Sequence, residues 1–192
     1  MGSMIALIGS FVIGGLVLLS LQGFNQDFSQ EMFRDTLDNV AYSNLDNVKR
    51  IIEYDFSRIG LGLNDPSQDV LTNVGATDVT FLLDSDGIGA VETMRYYLST
   101  TTDAAAATTN PNDRVLFRVV NNGAAQTVSA GLTDFRIQYF NSGGVETAAV
   151  DQIRTVVVSL TLESDYASFT GNGEYPKLVW QERFTPPSLV VH

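Results

Sequence analysis

The chain has 192 residues, 44% hydrophobic and 17% charged, which suits one packed domain with an appendage and excludes global disorder. With 22 acidic residues against 11 basic ones the net charge is −11, a surface that repels phosphate and argues against direct nucleic-acid binding. Cysteine is absent and His192 is the single histidine, so no disulfide framework, thiolate nucleophile, histidine-based triad or multi-histidine metal site can be built, and no catalytic residue is assigned.

No charged side chain precedes Asp27, and residues 4–21 read MIALIGSFVIGGLVLLSL. As a helix this stretch rises about 27 Å, close to the thickness of a bilayer core. A cleaved secretory signal would need a basic leader and a small-residue cleavage site, and neither flanks the run. The expectation is an uncleaved membrane anchor, or a precursor trimmed by a few residues, with the N-terminus inside and the rest outside. In lipid or among copies of itself, such a helix meets its neighbours through Ile5, Leu7, Phe11, Ile13, Leu16, Val17 and Leu21. Gly14, Gly15 and Gly23 each weaken a helix by ~1 kcal/mol relative to alanine, and are the expected points of bending or close approach.

From Phe24 the pattern turns periodic. Apolar residues fall at Phe24, Phe28, Phe33, Leu37, Val40, Leu45, Val48, Ile52, Phe56 and Ile59, mostly three or four apart, as on one helical face. Phe24, Phe28, Phe33 and Leu37 extend the expected assembly surface, and the later members are expected to pack on the chain's own head. Gly60, Gly62 and Asn64-Asp65-Pro66 stop the helix, and Arg58 suits the negative end of its dipole. One continuous helix over 4–59 would be about 84 Å long and would need partners along most of its length.

Beyond residue 62 the period becomes two. Strands are expected at 79–83, 91–98, 115–120, around Phe135, Ile137 and Tyr139, at 153–162 and at 178–184, separated by turn residues and without intervening helical patterns. Residues 99–110 read as an exposed low-complexity loop, and 167–176 as a second loop. The fold class is therefore α+β: a long N-terminal helix, membrane-spanning in its first half and amphipathic in its second, packed on an antiparallel β-sheet head. The expected parts are 1–23, 24–62 and 63–192.

Asp84, Asp86 and Glu92 surround Gly87 and Gly89. Spaced carboxylates on a tight loop can supply oxygen ligands to calcium, and Asp-Gly is equally the chemistry of a plain hairpin turn; both readings stay open. No other cofactor is expected. Asp151, Asp165 and Glu174 have no partners that would make them acid–base catalysts, so the chain is not expected to be an enzyme.

The order of parts resembles type IV pilins and pseudopilins. The strings DFSRIGLG at 55–62, TFLLDSDG at 80–87, RYYL at 95–98, GLTDFRIQYF at 131–140 and IRTVVVSLTL at 153–162 are similar to minor pilins of the W type and minor pseudopilins of the J type, over residues 4 to about 187. The resemblance implies a subunit held in the inner membrane by its apolar helix with its head outside. It then joins a homo- or hetero-oligomeric surface or periplasmic filament serving adhesion, motility, DNA uptake or secretion. It also implies processing and methylation near Gly2 and Ser3. The glutamate that usually follows the family's processing site is replaced by Leu7. The alternative is a membrane-anchored, adhesin-like binding module in which the helix is only a tether.

Overall fold

The computed structural model describes residues 2–63, 65, 68–104, 108, 110–164 and 175–190. The chain divides into two compact units, Met1–Val40 and Ala41–His192, with a single helix, α1 (Gly2–Phe56), running through the division. Its 55 residues contain no proline, and it continues without a break past Gly14, Gly15 and Gly23. In the first unit α1 is the whole of the described structure.

Among the described residues, the second unit is an antiparallel meander of seven strands in chain order: β1 (Leu71–Val74), β2 (Asp78–Leu83), β3 (Glu92–Leu98), β4 (Arg114–Val120), β5 (Gln126–Phe140), β6 (Thr155–Glu163) and β7 (Lys177–Phe184). A four-residue helix α2 (Thr101–Ala104) precedes β4, and α3 (Pro187–Val190) follows β7. Alternation sends one side of each strand inward: Val79 lies opposite Tyr96, Phe81 opposite Met94, Phe135 opposite Leu160, Ile137 opposite Val158 and Tyr139 opposite Val156, all buried. The last turns of α1 cover this face. Val48, Ile52 and Phe56 recur every four residues and are buried, as is Ile59 just beyond. The Phe56 ring meets Phe81, Tyr96 and Phe184 at centroid distances of 5.2, 5.4 and 5.6 Å. Each such fully buried side chain contributes about 2–3 kcal/mol by burial alone.

Helix α1 ends where glycine permits it. Gly60 has φ +72° and Gly62 φ +81°, a region that L side chains avoid. The freed backbone then docks on the sheet: Gly60 N–H donates to the Leu82 carbonyl at 2.7 Å, and Asp84 N–H donates to the Leu61 carbonyl at 2.7 Å.

Several details depart from the expectations. β1 was not foreseen, because LTNV carries too short a pattern, and β5 begins at Gln126, well ahead of the Phe135–Tyr139 alternation. In β6 Val157 is buried along with Val156 and Val158, so that strand is packed on both faces near its start. The 99–110 segment is not simply an exposed loop: α2 lies within it, and Asn110 is buried with its amide donating to Glu163 at 3.2 Å. Arg58 does not serve the helix end. Its guanidinium stacks over Tyr54 and donates to the Ser85 and Asp84 carbonyls at 2.9 and 3.2 Å, which ties the post-helical turn to the β2–β3 turn. Val40 is exposed rather than part of the buried stripe, which begins at Leu45.

Candidate functional site

Two surfaces stand out. The first is on α1. The helical stretch Ile8–Met32 is long and apolar enough to cross a membrane: its 18-residue apolar window has a mean hydropathy of 1.6, and none of that window is buried. About 37 Å of helix exceeds a ~30 Å hydrocarbon core. Membrane anchors and signal sequences both have this length and composition. Phe11 is 78% exposed and Phe24 68%, with Ile13, Leu16, Val17, Leu21 and Phe28 also open, and the Phe24 and Phe28 rings stack at 6.3 Å. A water-soluble monomer rarely displays a continuous apolar surface of this extent. No atom lies near where a Cβ would stand on Gly14, Gly15 or Gly23, leaving those positions open to close approach by a neighbour. Gly2 and Ser3 lie in the first turn of α1. The side chains of Ile5, Leu7, Phe33 and Leu37 fall outside the described set.

The β2–β3 turn brings Asp84, Asp86 and Glu92 together, and their hydrogen bonds show what they do there. Asp84 accepts from Gly87 N–H at 2.7 Å through one oxygen and from Gly89 N–H at 3.0 Å through the other. Asp86 accepts from Ile88 N–H at 3.1 Å, and Glu92 from Ser85 N–H at 2.7 Å. Burial would raise the Asp84 pKa, but the two backbone donors, with Asp86 and Arg58, hold it below the ordinary value of 3.8. Gly87 and Gly89 have φ +76° and +88°, so each carboxylate closes a turn that only glycine completes easily. Among the described residues, no group of three or more His, Cys, Asp or Glu side chains is arranged to hold a metal ion.

The second surface lies in the head, at a buried charge that the sequence reading passed over. Asp55 is 1% exposed. It accepts from the Tyr96 hydroxyl at 2.5 Å and from Arg118 Nε at 2.6 Å, with Arg118 Nη2 at 3.3 Å from its second oxygen. Burial pushes the Tyr96 pKa well above 10.0, and the neighbouring Asp55 charge adds to the rise. Desolvation opposes charge on Arg118, but the bond to Asp55 and the interactions with Tyr96 and the Asp55 charge together raise the guanidinium above its ordinary value. A signal was present: Asp55 falls between Ile52 and Phe56 on the apolar stripe, where a carboxylate needs a partner inside the fold. Above this triad a cleft of about 630 Å³ opens, walled by Arg50, Ile51 and Tyr54 on α1 and by Gln126 and Val128 on β5, with Arg118 beneath.

Compared with known protein families, curated proteins and solved structures, the chain finds no match. Asp151 is exposed, and Asp165, Glu174 and His192 lie outside the described residues.

Proposed function

We propose that the chain is a membrane-anchored structural subunit that assembles through its apolar helix into a filament of the type IV pilus or secretion-pseudopilus kind. The observation that carries this reading is the unburied apolar stretch Ile8–Met32 on a helix whose other end is built into a folded head. That surface needs a non-aqueous environment: first lipid, then the equivalent helices of other subunits. The exposed Phe11, Ile13, Val17, Phe24 and Phe28 are its contacts, with Ile5, Leu7, Phe33 and Leu37 continuing the series in sequence. Before assembly the subunit sits in the inner membrane with its head outside, and Gly2–Ser3 is its processing point.

Ile13→Lys or Val17→Asp tests the proposal. A charge at the centre of a membrane helix costs about 2.5–3.5 kcal/mol. The variants should be lost from sheared surface filaments, by electron microscopy and mass spectrometry, while the head retains its melting temperature. Normal incorporation would contradict the reading. The rival, a tethered binding module, draws on the cleft over Arg118. Deletion of residues 1–24 separates the two, because a binding module keeps its ligand and an assembly subunit loses its role.

A further inference from the structure

The cleft above Asp55 differs in charge from the molecule around it. The chain carries −11 overall, yet the cleft presents the guanidinium groups of Arg50 and Arg118, and among the described residues that line it the one carboxylate, Asp55, is already engaged by Arg118 and Tyr96. Arg118 is held by a buried anion through Nε and Nη2, and its side chain is 21% exposed. A guanidinium fixed in this way can accept a second carboxylate with little ordering cost. Arg50 is 74% exposed and only loosely paired, 4.0 Å from Asp46. Exposed Ile51 and Tyr54 add an apolar wall. The complementary surface is an element on which carboxylates and apolar side chains alternate.

The chain contains such an element outside the head. Residues 27–38 of α1 hold Asp27, Glu31, Asp35 and Asp38 against Arg34 alone, at intervals of four, four and three, close to one helical turn. Exposed Phe28 and Met32 lie among them. We propose that the cleft over Arg118 receives the acidic helical segment 27–38 of a second copy of this chain, with Arg50 and Arg118 pairing with its carboxylates and Ile51 and Tyr54 with its apolar residues. This rests on the assembly reading and adds to it a charge-based register between subunits: the apolar helix supplies adhesion, and the cleft selects where along a neighbour each head sits.

The absence of cysteine makes the test direct. Full-length Thr127→Cys and full-length Glu31→Cys are mixed in membranes and treated with a bis-maleimide, so only contact between copies can link them. Val17→Cys mixed with itself reports association of the apolar helices, and Ser142→Cys mixed with Glu31→Cys reports random collision. The expected result is a linked Thr127–Glu31 product well above the Ser142 control. That product should fall as salt rises, and about fivefold when Arg50→Glu is added to the Thr127→Cys chain. Val17 products without a Thr127–Glu31 product, or a product indifferent to Arg50→Glu, would overturn the cleft proposal and leave the assembly reading standing. No product from Val17 would remove the assembly reading, and the cleft proposal with it.

Discussion

Tyr96 donates its hydroxyl proton to Asp55 across 2.5 Å, joining the third strand of the sheet to the last turn of the helix that covers it. Both side chains are buried, and Arg118 from β4 completes the neutralisation of the carboxylate. Asp55→Ala leaves Arg118 without its anion and Tyr96 without its acceptor. Removing one partner of a buried ion pair costs about 3–5 kcal/mol, and denaturant unfolding of the full chain in detergent should show a loss in that range. Tyr96→Phe removes only the hydroxyl, and should cost nearer ~1–2 kcal/mol.

The same tyrosine sets an alkaline limit. Its folded pKa is raised above 10.0 by burial and by Asp55, so its contribution to stability is complete below pH 10 and is lost as pH rises from there toward the folded value. Tyr139, pushed up by burial with its hydroxyl on the Gly75 carbonyl at 3.0 Å, acts in the same direction. Melting temperature against pH should therefore fall above pH 10, and less steeply in Tyr96→Phe.

At the acid end the sign reverses. Lys177, Asn110 and Asn112 overcome the effect of burial and hold the Glu163 pKa below 4.5, and backbone donors hold that of Asp84 below 3.8. Their contributions are present above those values and vanish as pH falls through the lower folded ones. Glu163→Gln should flatten the acid limb of the stability profile without moving the alkaline limb.

Asp84 acts on its own turn. Asp84→Asn weakens the bonds to Gly87 and Gly89, so the melting temperature should drop by the same amount with and without calcium. A calcium-dependent difference between the two proteins would favour the cation reading of Asp84, Asp86 and Glu92.

Gly60→Ala introduces a methyl group against the Ser188 side chain and Val70 at a positive φ. Strain and crowding together should cost about 2–3 kcal/mol by chemical denaturation. Gly87→Ala, at a similar φ but with open space around it, should cost only about 1 kcal/mol.

How far the sequence foretold this structure depends on the kind of pattern each part carries. The strands around Phe81, Tyr96 and Val158 were visible because alternation and burial coincide there, and the stripe from Val48 to Ile59 because its period is helical. β1 was invisible: four residues with two exposed polar ones hold no period, and the strand exists because β2 offers it an edge. The polar start of β5 was missed for the same reason. The apolar stretch was plain from composition alone, whereas the cleft depends on Arg50, Arg118 and Gln126 meeting from distant parts of the chain, which no local spacing announces.

Because the strands follow one another in space as they do in the chain, each can pair with its predecessor without a crossover. The helix that covers them is the exception. Phe56 waits for Phe184, and the Ile59 carbonyl waits for the Ser188 hydroxyl, so the first part of the head to be made is clasped by the last. A chain cut short ahead of β7 would keep six strands and lose the clasp, and its α1 terminus should exchange amide hydrogens far sooner than the sheet beneath it.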